Sequence, residues 1–244
     1  MSGFRYTARM GKRLPLLLLF LLLLPGCAAP GGKPLGRDFR LDYIAKSDVD
    51  MVSEVNQKAV LDSLRLLTEK LYKRNPKEWH KSGQANAEAA AARLFDGVSR
   101  KYLVLGGRRG SDAIYLAFDD SYSGDRVLAF CFGLKEMLLA SYGNKTEFFL
   151  TDDLDPQKLY NSARNLEIAA WKLANTRNAR GELFLLSNEA EGPVKNLSFE
   201  REFGKMIAGQ DTLAKIIAEK TNRSIAHVAQ SVATAVFLPI PIPK

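Results

Sequence analysis

Residues 127–140 read VLAFCFGLKEMLLA, and this stretch decides the fold class. Only Lys135 and Glu136 are charged in it, so it is too apolar for a helix that lies on the surface. It is also too short, and too charged near its middle, to span a bilayer. The segment therefore predicts a central buried helix, with Asp125 just before its start and Gly143 as its stop.

The residues before this segment predict two further helices. Ser47 or Asp48 can cap a long one, and Asn75-Pro76 ends it because proline disfavours a helical residue before it. Its apolar side chains recur three or four residues apart and predict one buried face: Val52, Val55, Ala59, Val60, Leu64, Leu67 and Leu71. Asn86 caps the second, an alanine-rich stretch that runs to Phe95 and is ended by Gly97.

Asp155-Pro156 starts the next predicted helix, since an aspartate cap followed by proline in the first turn is a common helix start. One apolar face then continues to Ala174: Leu159, Ala163, Leu166, Ala170 and Leu173. Ser198 begins a short amphipathic segment and Asp211 begins another. Asn222 breaks the pattern.

The pattern resumes after this break with Ile225, Val228, Val232 and Val236. Pro239, Pro241 and Pro243 predict an extended tail. Three short apolar stretches are either strands or buried connectors: 102–105, 146–150 and 182–186. We therefore expect a mainly α, single helical domain over residues 41–238, with room for a minor short-strand element, and a proline-rich tail over 239–244.

The composition excludes several classes of protein. The chain has 244 residues, of which 46% are hydrophobic and 25% charged, so it is neither disordered throughout nor a multi-span membrane protein. Two cysteines cannot make a disulfide framework, and two histidines leave little material for a zinc site. We expect neither a metal nor a cofactor.

The first 26 residues have the order of a secretory signal. A basic segment without acidic residues (Arg5, Arg9, Lys12, Arg13) precedes a leucine-rich run from Leu14 to Leu24. This run of about 11 residues is well short of the roughly 20 that a membrane-spanning helix needs. Residues 1–26 are therefore predicted to be a cleaved export signal.

Leu24-Pro25-Gly26-Cys27 resembles the lipobox of bacterial lipoproteins, although Pro25 stands where that pattern has Ala, Ser, Thr or Val. The resemblance implies that Cys27 is acylated and that the chain is cleaved before it. Two or three acyl chains anchor a protein stably, because each buried methylene contributes about 0.8 kcal/mol. Ala28 follows where an aspartate would signal inner-membrane retention, so the resemblance implies the outer membrane, with the domain facing the periplasm. An ordinary secreted protein is the alternative.

Residues 27–40 are predicted to be this lipidated cysteine and a flexible tether, since proline, glycine and alanine dominate them. Removal of the signal leaves 31 basic against 27 acidic residues, a net charge of +4. A mildly basic exported domain gives no reason to expect a nucleic-acid partner. Cys131, between Phe130 and Phe132, has the setting of a buried apolar residue.

The most suggestive local feature is residues 105–112, which read LGGRRGSD. Glycines allow backbone N–H groups to converge, and a helix N-terminus beside Arg108 and Arg109 would suit a phosphate or carboxylate. Arg108, Arg109 and Ser111 are therefore candidate anion-binding residues. The alternative is a tight loop in which Ser111 or Asp112 caps the next helix.

No catalytic motif accompanies these features. Candidate carboxylates for chemistry on a glycan are Glu78, Asp119, Asp120 and Asp153, and helix capping is the competing role. The histidines His80 and His227 have no recognisable catalytic companions, and His227 is predicted to lie on a helix.

Three functions stay open. The first is an envelope lipoprotein that binds a protein partner, as an accessory or assembly factor of an envelope or secretion system. The second is an enzyme that acts on peptidoglycan or another glycan. The third is a carrier of an apolar ligand, which rests on residues 127–140 alone.

Overall fold

The computed structural model describes residues 46–95, 105–189, 195–228 and 231–242. The predicted signal, Cys27 and the tether lie outside these ranges, as do Gly97, residues 102–104 and Pro243. The described residues form seven helices: α1 (Asp48–Arg74), α2 (Pro76–Lys81), α3 (Ala87–Phe95), α4 (Gly110–Leu116), α5 (Arg126–Ser141), α6 (Pro156–Asn175) and α7 (Ser198–Thr221).

The mainly α fold with a buried central helix is confirmed. Two isolated bridges, Arg177 with Leu183 and Glu189 with Asn196, are the only β pairing in the described part of the chain. Residues 146–150 form a connector that buries Phe148. None of the helices within the described ranges is both long and apolar enough to cross a membrane.

The predicted helix starts are confirmed where polar side chains bind the first free N–H groups. Ser47 accepts from the Asp50 amide while the Asp50 carboxylate accepts from the Ser47 amide, which is a capping box on α1. Asn86 accepts from Ala89 at the start of α3, and Asp125 accepts from Leu128 at the start of α5.

The central helix α5 approaches α4 closely because residue 133 is glycine. A Cβ atom on Gly133 would lie 2.4 Å from the carbonyl oxygen of Gly110 and 2.6 Å from Cγ1 of Ile114. The two helices therefore meet nearly backbone to backbone. Gly143 follows α5 with φ +67, in the left-handed region that suits glycine after a helix, as predicted.

The prediction of two short helices after Ser198 is wrong, because α7 is one helix of 24 residues. Its buried apolar side chains keep a single face through the predicted boundary: Phe199, Phe203, Met206, Leu213, Ala214 and Ile217. Asp211 does not cap a helix start; its carboxylate lies 2.5 Å from the guanidinium of Arg164 on α6.

The predicted resumption of helix after Asn222 is also wrong. Asn222 ends α7 in the left-handed conformation, as expected for a break, but residues 223–228 and 231–242 contain no helix. His227 is consequently not on a helix. Backbone groups in this region bind side chains of α6 instead, as described below.

The core consists of two apolar clusters. The main cluster combines buried side chains of six helices, with Trp79 of α2 packed against them, and contains most of α5. The small cluster lies at the ends of α5, α6 and α7: Tyr142, Phe148, Leu154, Leu159, Tyr160, Leu213, Ala214 and Ile217.

The predicted buried face of α1 is correct only from Val60 onward. Near the N-terminus of α1, Val52 and Val55 are exposed while Ser53 and Gln57 are buried. The apolar spacing there marks the outward face of the helix.

Candidate functional site

The start of α4 is where the sequence predicted an anion, and the structure places a carboxylate of the chain itself there. Glu136 on α5 accepts from Nε of Arg109 at 2.7 Å and from the Gly110 amide at 3.0 Å. Neither Ser111 nor Asp112 caps the helix, since α4 begins at Gly110 with Arg109 as its N-cap residue. Glu136 thus supplies the negative charge that a helix N-terminus favours.

The structure brings two of the three candidate anion-binding residues to one groove. Arg109 and Ser111 line a groove of about 260 Å³, together with Asp112, Met137, Asn165 and three residues near the C-terminus, Leu238, Ile240 and Ile242. Arg108 is exposed and does not line this groove. Its charge faces Asp119, where hydrogen bonds from Ser121, with lesser help from Arg108, lower the pKa of the carboxyl.

Residues 235–242, which we call the C-terminal strap, form one wall of this groove. Ala235 is buried, and Phe237 and Ile240 pack against the main cluster. Ile242 lies over the start of α4, where a Cβ atom on Gly110 would come within 2.2 Å of its Cδ1 atom. The strap therefore fits this site because residue 110 has no side chain.

Three amide side chains of α6 hold the C-terminal region through its backbone. Asn165 donates to the carbonyl of Leu238 at 2.9 Å and accepts from its amide at 2.6 Å. Asn161 donates to the carbonyl of Pro239, and Gln157 makes a matching pair of bonds with Ala226. We call Gln157, Asn161 and Asn165 the amide ladder, since a spacing of four residues places them along one face.

Sequence reasoning missed the amide ladder. Its signal is present in the sequence, as amides at 157, 161 and 165 between the apolar positions of a helix. The pattern by itself predicts no binding partner, because three amides exposed to solvent would give the same sequence pattern.

Two of the candidate carboxylates accept hydrogen bonds at the start of a helix or within a turn. Glu78 is buried, and its carboxylate accepts from the Arg126 amide at 2.7 Å, so it helps to cap α5. Asp119 accepts from the amide and hydroxyl of Ser121 within a turn.

The other two carboxylates bind exposed groups. Asp120 accepts from the Ala179 amide at 3.4 Å, and Asp153 pairs with Arg223 at 2.5 Å. The structure therefore does not bring the four candidate carboxylates together in one site.

Cys131, His80 and His227 are the side chains that could act as a nucleophile or a base, and each is placed by packing contacts. Burial raises the pKa of the Cys131 thiol to about 12, and the side chain is fully buried, as predicted for a core residue. His80 is exposed, and the centroid of its ring lies 3.6 Å from the ring centroid of Trp79. His227 meets Tyr160 edge to face at 5.1 Å.

Within the described ranges, no group of three or more acidic, histidine or cysteine side chains is placed to hold a metal ion. No protein-family model, no curated protein and no solved structure matches this chain.

Proposed function

We propose that this chain is a bacterial envelope lipoprotein whose helical domain binds a protein partner. The lipobox-like sequence that ends at Cys27 supports attachment by lipid, with the domain in the periplasm at the outer membrane. The partner belongs to an envelope or secretion system in which this chain is an accessory or assembly factor.

The observation that carries partner binding is an apolar surface on α1. Val52 is 44% exposed, Val55 66% and Leu66 41%, and Ala59 between them is exposed as well. Spacings of three, four and seven residues place all four on one side of the helix. We call these four residues the α1 stripe.

The α1 stripe lies opposite the face of α1 that packs in the core. Single exposed apolar residues are ordinary, but a row of them along one helix is typical of a contact surface. Burial of this row against a partner would remove apolar area from water, which contributes roughly 25 cal/mol per Å². The exposed Asp62, which pairs with Lys58, lies at the same helical spacing between Ala59 and Leu66, so the row is continuous from Val52 to Ala59 and is interrupted before Leu66.

Two observations favour binding over the alternatives. The candidate carboxylates hold helix ends, turns and an ion pair, which accounts for them without a glycan substrate. The apolar residues of α5 fill the main cluster, which accounts for residues 127–140 without an apolar ligand.

Site-specific photo-crosslinking in cells tests the proposal. A photoreactive residue at Val55 should capture one dominant envelope protein, whereas the same residue at the exposed Arg180 should not. The substitution Val52→Asp in the Val55 crosslinking variant should abolish this capture without lowering the thermal midpoint. Equal capture from both positions would contradict partner binding through the α1 stripe.

The lipid anchor is tested separately. The Cys27→Ala variant should move from the membrane to the soluble fraction in a carbonate wash, because the acyl chains supply the attachment. Retention of this variant in the membrane would contradict the anchor and would leave the crosslinking result unaffected.

A further inference from the structure

The C-terminal strap is bound in the way in which proteins bind extended peptides. Its residues alternate: Leu238, Ile240 and Ile242 are half-buried toward the groove, while Pro239 and Pro241 are exposed. An extended chain turns successive side chains to opposite sides, so one set enters pockets and the other faces solvent. The prolines fix an extended backbone and carry no N–H that would need a partner.

A buried side chain of the groove hydrogen-bonds the backbone of the strap. Asn165 is only 2% exposed, and its amide pairs with both backbone groups of Leu238. Asn161 adds a bond to the carbonyl of Pro239 at 3.1 Å. These contacts depend on an extended backbone and not on which side chain Leu238 carries, so another extended peptide can make them.

The side-chain contacts define the chemistry of such a peptide. Phe237 meets Tyr115 edge to face at 5.1 Å, and Ile242 covers the open space above Gly110. The groove therefore accepts apolar side chains, which alternate with prolines from Leu238 to Ile242, while Phe237 packs beside them against the main cluster.

We infer that the helix side of this groove, to which Arg109, Met137 and Asn165 contribute, is a peptide-binding site for an extended, proline-containing apolar segment of another protein, and that the C-terminal strap covers it as an internal ligand. The site is distinct from the α1 stripe and goes beyond partner binding through that stripe. The bound strap indicates the kind of peptide that fits, because residues 238–242 have apolar side chains at alternate positions with prolines between them.

The strap weakens binding of an external segment in a calculable way. A site that is open only part of the time has an apparent Kd equal to the intrinsic Kd divided by the open fraction. A tethered ligand competes at an effective concentration in the millimolar range. A change that loosens the strap without touching the groove must therefore tighten binding of an external peptide.

The test uses the full chain and a fluorescent peptide with the sequence of residues 235–242, AVFLPIPI. The double variant Phe237→Ala/Ile240→Ala weakens the strap and leaves the helix side of the groove, with Arg109, Met137 and Asn165, unchanged. We expect it to bind the peptide about tenfold more tightly than the wild-type chain, because its open fraction is larger. A peptide of the same composition in scrambled order is the control. Equal affinity of the two chains for AVFLPIPI would overturn the inference.

A second substitution shows where the peptide binds. Asn165→Ala in the strap-weakened variant should abolish the gain in affinity. Asn175→Ala, which removes an amide that binds Trp171 at the end of α6, is the matched control and should keep the gain. Loss of the gain in both variants, or in neither, would contradict a site at the amide ladder.

Hydrogen exchange of the wild-type chain tests the strap without any substitution. The Leu238 amide should exchange at least about tenfold faster than the Leu166 amide of α6, because the strap opens without unfolding the helices. Equal rates would show that the strap opens only on global unfolding, and would overturn the inference. Crosslinking from Val55 does not depend on this result, so failure of the groove and failure of the proposed function are separable.

Discussion

The two apolar clusters of the domain differ in the hydrogen-bonded side chains beside them. Nearly all positions of the main cluster are aliphatic or aromatic, and they follow the helical spacing of the sequence. The small cluster is bordered by a buried polar network, which we call the polar seam: Gln210, Ser141, Ser162, Tyr142 and Asn56.

Each group in the polar seam has a partner. Gln210 is fully buried and donates to the hydroxyls of Ser141 and Ser162, while it accepts from the hydroxyl of Tyr142 at 2.6 Å. Asn56 donates to the Tyr142 hydroxyl in turn. The comparison teaches that burial in this protein does not require apolar residues, provided that the hydrogen bonds are complete.

Removal of a large apolar side chain should have the largest effect, and it should differ between the clusters. Phe130 lies on α5, and Phe130→Ala leaves a cavity in the main cluster that the helix cannot easily fill. This variant should lower the free energy of unfolding by about 3–5 kcal/mol. Phe148→Ala should cost less, since Phe148 lies in a connector that can collapse into the space. Urea denaturation measures both; a larger loss for Phe148→Ala would contradict the comparison.

A polar residue of the seam should be costly to replace even by an apolar one of similar size. Gln210→Leu should lower the free energy of unfolding by about 1–3 kcal/mol, because the buried Tyr142 hydroxyl loses its acceptor and the hydroxyls of Ser141 and Ser162 each lose a donor. Adding Tyr142→Phe to Gln210→Leu should restore part of this stability, because it removes the hydroxyl that has lost its acceptor. A Gln210→Leu variant as stable as the wild type would show that the hydrogen bonds of the seam do not stabilise the fold.

The smallest predicted effect is a pH dependence of opposite sign at two helix caps. Burial disfavours the charged carboxyl of Asp50, but hydrogen bonds from Ser47 and the charge of Lys220 hold its pKa below the usual 3.8. Its contribution to stability is therefore present above pH 3.8 and is lost as the pH falls through the lowered value. At Asp125, burial raises the pKa, so its contribution is greatest below pH 3.8 and is lost as the pH rises through the raised value.

The two variants Asp50→Asn and Asp125→Asn test these signs, each measured against the wild type by urea denaturation from pH 3 to 7. The stability difference between wild type and Asp50→Asn should shrink toward acid. The difference for Asp125→Asn should grow toward acid. Parallel curves for the two variants would show that the two caps do not titrate as described.

The main cluster was predictable from the sequence, whereas the small cluster and the groove were not. The low charge of residues 127–140 identified α5 as a buried helix, and the spacing of apolar residues identified the buried face of α6. Asp125 and Asp155 marked the starts of these helices, because such signals act within one helix. On α1 the same reasoning chose the wrong face near Val52 and Val55. Gln57 is buried there because its amide donates to the Lys145 carbonyl at 2.7 Å, a partner 88 residues away.

The candidate site shows the same division. Sequence reasoning predicted Arg108, Arg109 and Ser111 as candidate anion-binding residues, since the glycines and the arginines are adjacent in the chain. It could not identify Glu136 as the carboxylate that binds there, or Leu238 as the partner of Asn165, because these contacts form only after the helices pack.

The continuity of α7 has a consequence for the cooperativity of unfolding. At 1.5 Å per residue, its 24 residues extend over about 36 Å. Phe203 and Met206 lie in the main cluster, and Leu213 and Ile217 lie in the small one. Neither cluster can lose its packing without releasing part of a helix on which the other depends, so the described helices should melt in one sharp transition that fluorescence and circular dichroism report at the same temperature.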